Sequence, residues 1–198
     1  MGKEFWDQRY ATREYAYGKE PNLFFREQID KLEPGKLLLA GEGEGRNAVY
    51  AAKLGWKVTA FDFSKEGQKK AQRLADANDV KIQYIVDDFD TMKLPENEFD
   101  AVGMFFLHLT PDFREKNHAK LVKSLKTGGK LIAESFSKEQ IKLNSGGPKN
   151  ITMLYSEEEL KNDFSDLRIE LCMEIMRQLS EGSFHSGKAW VIRFLATK

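Results

Sequence analysis

Apolar residues along the 198-residue chain fall into short continuous runs separated by longer amphipathic stretches, with turn residues marking each change. Leu37-Leu38-Leu39-Ala40, introduced by Glu33-Pro34-Gly35, reads as a buried strand. A helix over about 45–54 follows, carrying Ala48, Ala51 and Ala52, with Gly55 as its C-terminal glycine. Residues 58–61 predict a second strand, Ser64 caps a helix to about Ala77, and 82–86 and 99–106 predict two more strands. The stretch 111–125 gathers Phe113, Leu121, Val122 and Leu125 on one helical face, and Thr127-Gly128-Gly129 ends it before a fifth strand over 130–136. A loop rich in Gly and Asn leads to Ser156-Glu157-Glu158-Glu159, a helix start of capping-box form. Two final strands, about 168–178 and 188–197, flank the turn residues Ser180-Glu181-Gly182-Ser183.

Alternating strands and helices that end in a hairpin predict an α/β fold of Rossmann-like form: a doubly wound, mostly parallel sheet with one reversed strand, as a single domain over 1–198. Ligands in such sheets bind beyond the carboxyl ends of the strands at the switch point. The site is therefore expected after the first four strands.

Composition narrows the function. Lys+Arg and Asp+Glu number 31 each, so there is no basic field to draw the chain to nucleic acid or an anionic membrane. A small-molecule partner is expected instead. Cys172 is the lone cysteine, which excludes an intramolecular disulfide and argues against a thiolate metal cluster; no metal is expected. The start Met1-Gly2-Lys3-Glu4-Phe5-Trp6 is charged and aromatic, unlike a signal segment, and a cytoplasmic protein is expected.

The densest chemistry is Gly41-Glu42-Gly43-Glu44-Gly45, directly after the first strand and opening a helix. Its spacing is G-x-G-x-G, not the G-x-G-x-x-G of a dinucleotide fingerprint, and it holds two carboxylates that would repel a diphosphate. Such a loop suits a ligand carrying an ammonium and a sulfonium, as S-adenosylmethionine does. Asp62, ending the second strand, is placed to accept both ribose hydroxyl protons of an adenosine. Phe61 and Phe63 flank it on opposite faces, and Phe63 is the better platform for adenine. Asp87-Asp88-Phe89, past the third strand, can read the adenine edge, although acidic loop residues are also commonly just solvated. Phe105-Phe106-Leu107-His108-Leu109 ends the fourth strand over the same crevice, where an aromatic such as Phe105 either floors the pocket or belongs to the core.

With these residues the chain resembles the class I S-adenosylmethionine-dependent methyltransferases, in particular the tellurite-resistance methyltransferase-like group, with the thiopurine methyltransferases more distant. The resemblance spans nearly the whole chain. It is carried by Trp6-Asp7-Gln8-Arg9-Tyr10, Tyr15-Ala16-Tyr17-Gly18-Lys19-Glu20-Pro21-Asn22, the loop from Gly41 to Asn47, Val58-Thr59-Ala60-Phe61-Asp62-Phe63-Ser64, the Thr127-Gly128-Gly129 turn and Glu181-Gly182-Ser183-Phe184-His185-Ser186-Gly187. It implies a seven-stranded sheet with the hairpin at one edge and donor binding by the glycine loop, with Gly41, Glu42, Gly43, Arg46 and Asn47 as contacts. It further implies ribose binding by Asp62 and adenine binding near Asp88 and Phe89. In one respect the chain departs: many such enzymes carry Asp or Glu two residues before the first loop glycine, where this chain has Leu39, and Glu42 is the available substitute for the methionine ammonium.

The resemblance also implies an N-terminal segment, 1–30, folded over the donor. Trp6, Tyr10, Tyr15 and Tyr17 then form an aromatic lid that excludes water and attracts the sulfonium, or, for Trp6 and Tyr10, pack on the sheet. Tyr17, beside Gly18, is the stronger candidate for ligand contact. His185, set among small residues in the last hairpin, is the candidate base or orienter of the acceptor, and Arg46 and Arg193 are candidates to neutralise an anionic one. The expected reaction is methyl transfer from S-adenosylmethionine, leaving S-adenosylhomocysteine, to a small acceptor such as a thiol, selenium or tellurium species, by a monomer or weak homodimer. A non-catalytic adenosylmethionine-binding regulator and a nicotinamide-dependent oxidoreductase are the competing readings.

Overall fold

The computed structural model describes residues 2–198. Seven strands form one sheet: β1 (Lys36–Ala40), β2 (Lys57–Asp62), β3 (Gln83–Val86), β4 (Phe99–Phe105), β5 (Leu125–Phe136), β6 (Arg168–Ser180) and β7 (Ser186–Thr197). Their spatial order is β3-β2-β1-β4-β5-β7-β6. β1 to β5 pair in parallel, and β7 runs antiparallel to both β5 and β6, so a single strand is reversed, as the hairpin pattern predicts. The strand order turns back between β1 and β4, and their C-terminal ends diverge into the crevice where such sheets take ligands.

The continuous apolar run of β1 reflects burial on both faces. Leu38 and Ala40 face a core with Met104, Leu121, Leu160 and Phe164, under α5 (Pro111–Ser124) and α6 (Glu157–Asp163). Leu37 and Leu39 face the opposite core with Ala48 and Ala51 of α3 (Arg46–Lys53). α4 (Lys65–Asp76) begins at Ser64, whose hydroxyl accepts from the Gly67 N–H, and α6 begins with the full Ser156–Glu159 capping box.

Several boundaries differ from the sequence expectations. β4 stops at Phe105, because Phe106 takes a left-handed conformation (φ 53°) that turns the chain into the crevice. β5 begins at Leu125 and carries Gly128-Gly129 inside it, with an irregular register between Phe99 and Ala101 of β4 accommodating the extra residues. The last two strands are longer than their apolar patterns suggest. Ahead of the sheet, α1 (Lys3–Tyr10) and a strap over 11–22 precede α2 (Leu23–Ile29). α2, absent from the expected elements, is capped by Asn22, whose side chain accepts from the Phe25 N–H, and its Phe24, Phe25 and Ile29 are wholly buried in the second core. The covering segment is thus shorter than 1–30: it ends near Pro21, and in α2 Phe24, Phe25 and Ile29 belong to the core while Leu23 stays exposed.

Candidate active site

A cavity of about 690 Å³ opens over the C-terminal ends of β1, β2 and β4 and continues under the β6–β7 hairpin. Gly41, Glu42, Arg46 and Asn47 bound it along the first loop, Asp62 and Phe63 at the end of β2, Asp88 and Phe89 past β3, and Phe105 at the end of β4. Trp6 and Tyr10 of α1, with Tyr17 of the strap, close it from above, and His185 lines the hairpin end.

The glycine loop works differently from its sequence reading. Gly41, Gly43 and Gly45 all adopt positive φ (63°, 62° and 88°), so each is required by the backbone turn itself. Only Gly41 borders the cavity. A Cβ on Gly43 would lie 2.6 Å from the Tyr10 hydroxyl and one on Gly45 2.6 Å from Ala71 Cβ, so protein side chains, not open space, approach these two. Gly43 therefore acts indirectly: its N–H donates to Asp62 Oδ2 at 3.1 Å and holds that carboxylate in place.

The two loop carboxylates have separate tasks. Glu44 is engaged within the protein, accepting from buried Lys70 Nζ at 2.8 Å and from the Ala16 and Tyr17 backbone N–H groups, and so pins the strap to the loop. Glu42 accepts from the Asn47 and Ala48 N–H groups, both at 2.8 Å, and from the Asn47 side chain. It thereby caps α3, whose own N-cap, Gly45, has no side chain to do so. Burial pushes the Glu42 carboxyl up to about 7, against the lowering influence of these bonds and of Arg46. Asp62 accepts from Gly43 N and Ser64 N, and burial raises it to about 6.

The covering elements are fastened at several points. Asp7 of α1 accepts from the Ser64 hydroxyl at 2.6 Å, and Trp6 stacks on Tyr10 with ring centroids 5.5 Å apart. The Tyr17 hydroxyl oxygen accepts from Arg9, and its ring lies 4.4 Å from that of His185. Tyr15 does not join this aromatic cover. It packs toward Val49 and Leu74 and donates its hydroxyl proton to the Lys70 carbonyl.

At the hairpin end the setting is aromatic. His185 is only 5% exposed, with Phe106 at 4.4 Å and Phe136 at 5.2 Å between ring centroids, a far more enclosed position than its small sequence neighbours suggest. Burial lowers its pKa to about 4, and His108, also at the cavity, is lowered to about 4 by the same cause. Both imidazoles are neutral at pH 7. Neither arginine proposed for an anionic acceptor is available: Arg46 pairs with Glu181 at 2.8 Å and donates to the Tyr17 carbonyl, while Arg193 pairs with buried Glu134 and with Glu27. Phe136, not among the expected site residues, and Glu181, expected only as part of the hairpin-turn motif, take their roles from partners far along the chain.

Residues 37–129 match the family model described as a methyltransferase domain. Over those residues the chain is similar to methyltransferase domains. Among curated proteins, 164 residues align at 23% identity with the probable S-adenosyl-L-methionine-dependent methyltransferase TehB of Haemophilus influenzae (strain 10810), covering 79% of this chain and 56% of that one. The chain thus spans little more than half the length of that relative. The TehB structure from Haemophilus influenzae superposes with a TM-score of 0.74 at 19% identity, over 99% of this chain and 66% of that one. A protein solved in work on the conversion of a disulfide bond into a thioacetal group during echinomycin biosynthesis reaches 0.75 at 22% identity, over 98% and 92%. The domain has the same fold as the [4+2]-cyclase SpnF as well, with a TM-score of 0.72 at 13% identity, over 99% and 95% of the two chains. Fold by itself therefore leaves the reaction to be argued from the site. No helix of the domain is long and apolar enough to cross a membrane among the described residues.

Proposed function

We propose that the domain binds S-adenosylmethionine at the glycine-loop end of the cavity and transfers its methyl group to a small nucleophile held at the hairpin end. The observation that carries this reading is the joining of two chemically distinct ends in one covered cavity: carboxylates at the strand ends, and aromatic rings with neutral imidazoles under the hairpin. The donor-end residues suit this cofactor. Asp62 has lone pairs left for ribose hydroxyls beyond its two backbone bonds, and Glu42 offers a carboxylate to an ammonium in the place left by Leu39. Phe63 can offer a flat face to adenine, and Asp88, exposed at the cavity edge past β3, is the candidate to read its edge.

When bound, S-adenosylmethionine supplies an electrophilic methyl group on a sulfonium. The chain's own contribution is placement and exclusion of water: α1 and the strap cover the cavity, Trp6, Tyr10 and Tyr17 present ring faces that attract a cation, and His185 orients the acceptor. At a pKa of about 4 His185 is a poor base at neutral pH, so an acceptor that is already an anion fits better than an alcohol or amine. A thiolate, or an anion of selenium or tellurium, is of that kind.

The dinucleotide alternative meets a specific obstacle. The α3 N-terminus, where a pyrophosphate would rest, has its Asn47 and Ala48 N–H groups taken by Glu42. The deciding experiment is a screen of thiols, selenite, tellurite and small heteroaromatics with isotopically labelled S-adenosylmethionine, scored by methylated product and paired with calorimetry. Donor binding with transfer to one of these classes is expected. Heat with NADH and none with S-adenosylmethionine would reject the cofactor, and donor binding without transfer to any class would favour a regulatory binder.

A further inference from the structure

The hairpin turn that carries His185 also carries a buried carboxylate, Glu181, only 9% exposed. The turn is closed by the Glu181 N–H donating to the His185 carbonyl at 2.8 Å, so the two residues are held together by the backbone. Glu181 Oε1 accepts from Arg177 at 2.8 Å and Oε2 from Arg46 at 2.8 Å. These arginines are fixed in turn, Arg177 by buried Glu134 of β5 and Arg46 by the Tyr17 carbonyl. The carboxylate is therefore clamped from β6 and α3, with one Oε2 lone pair unused. That oxygen lies 3.7 Å from His185 Nδ1, a buried nitrogen with no hydrogen-bond partner.

Nδ1 thus faces a carboxylate oxygen. A proton on Nδ1 would point at a lone pair, and a modest ring rotation closes the contact to an ordinary hydrogen bond. A bare Nδ1 would instead set its lone pair against a carboxylate lone pair in a buried site. We propose that Glu181 is a positioning residue: its carboxylate fixes His185 in the tautomer that carries the proton on Nδ1, so that the Nε2 lone pair is the one available to the cavity. The charged and titratable groups around His185 are Glu181, Arg46, Arg177 and His108, with the Tyr17 ring packed against it, and among them Glu181 is the one anion. The tautomer is a property of the protein alone. Its consequence for turnover rests on the methyl-transfer reading above.

The two are separable by measurement. In uniformly ¹⁵N-labelled protein at pH 7, two-bond nitrogen–proton correlation reads the tautomer of each of the three histidines, and the spectrum of His185→Phe identifies the His185 signals. Wild type is expected to show His185 protonated on Nδ1. Glu181→Gln removes the anion that favours a proton on Nδ1, so the population moves toward the Nε2-protonated form, while Glu181→Asp keeps the wild-type form; unchanged His108 and His118 signals certify the fold. An Nε2-protonated His185 in wild type, or no change in Glu181→Gln, overturns the proposal. If the Gln variant does not fold, the wild-type spectrum and the Asp variant decide. With an acceptor in hand, Glu181→Gln should lower kcat by about two- to threefold, no more than loss of His185 itself, while leaving donor KM within about twofold, and add nothing in a His185→Phe background. Loss of donor binding in place of kcat would make Glu181 a structural clamp for α3 and overturn the positioning role. Absence of any methylated product from wild type would instead fail the methyl-transfer reading and leave the tautomer result standing.

Discussion

The two ends of the cavity are buried to similar depth and respond to burial in opposite directions. At the glycine-loop end the titrating groups are acids, Glu42 and Asp62, raised to about 7 and about 6. At the hairpin end they are bases, His185 and His108, both lowered to about 4. One physical cause acts on both: a low-dielectric wall penalises whichever form is charged. The acid end is thus held ready for a cationic ligand that restores its charge, whereas the imidazole end stays neutral and apolar. A cavity that receives a sulfonium on one side and brings a soft nucleophile to the other needs that asymmetry.

The comparison is most exposed at Asp62. Asp62→Ala should weaken S-adenosylmethionine binding by about 2–4 kcal/mol, or roughly 30- to 1000-fold, through lost charge-assisted bonds to the ribose. Asp62→Asn should lose less. Unaltered calorimetric affinity in both variants, with wild-type melting curves, would remove Asp62 from the donor end.

A smaller effect is expected at Glu42. Glu42→Gln should cost about tenfold in donor affinity. In wild type, an ammonium beside Glu42 lowers its pKa from about 7, so donor binding at pH 7 should release protons, seen as a dependence of the binding heat on buffer ionisation enthalpy. The Gln variant should lack most of that release. Equal release in both proteins would locate the ammonium elsewhere.

His185→Ala should leave donor affinity within about twofold and reduce turnover only a few-fold, since a group with a pKa near 4 orients more than it deprotonates. A drop of about 100-fold or more with a strongly pH-dependent rate would show proton transfer and contradict the neutral, orienting role. The melting temperature adds a check on sign. Raised carboxyls contribute stability that is present below about 4.5 and lost as pH rises through about 7, whereas the lowered imidazole contributes stability present above 6.5 and lost as pH falls through about 4. Between pH 7 and pH 5, Glu42→Gln should therefore lose melting temperature relative to wild type and His185→Phe should gain it.

The smallest effect belongs to the cover. Tyr17→Phe removes one bond, from Arg9 to the Tyr17 hydroxyl, but keeps the ring against His185, so donor affinity and kcat should each change less than about threefold. A larger loss would mean that the hydroxyl itself meets a ligand.

Local pattern in the sequence determined the strand–helix alternation, the burial of β1 on both faces, the single reversed strand and the glycine turn that opens α3. Each rests on neighbours within a few residues, where periodicity and turn chemistry act directly. The concentration of candidate ligand contacts at strand ends was legible for the same reason, because a doubly wound sheet brings those ends together.

Tertiary structure decided what each polar group faces. Glu42 and Glu44 are two residues apart in the loop, yet one caps α3 at the cavity and the other is bound to Lys70. Gly43 supports Asp62, Arg46 belongs to Glu181 at a separation of 135 residues, and Tyr15 turns away from the aromatic cover. α2 has a local cap in Asn22, but the surface that buries its Phe24, Phe25 and Ile29, which includes Leu37, Leu39 and Phe105, is assembled only by the fold. Partner choice over such separations depends on packing that no local period encodes, and burial then sets the charge state of Glu42, Asp62 and His185 only once those partners are in place.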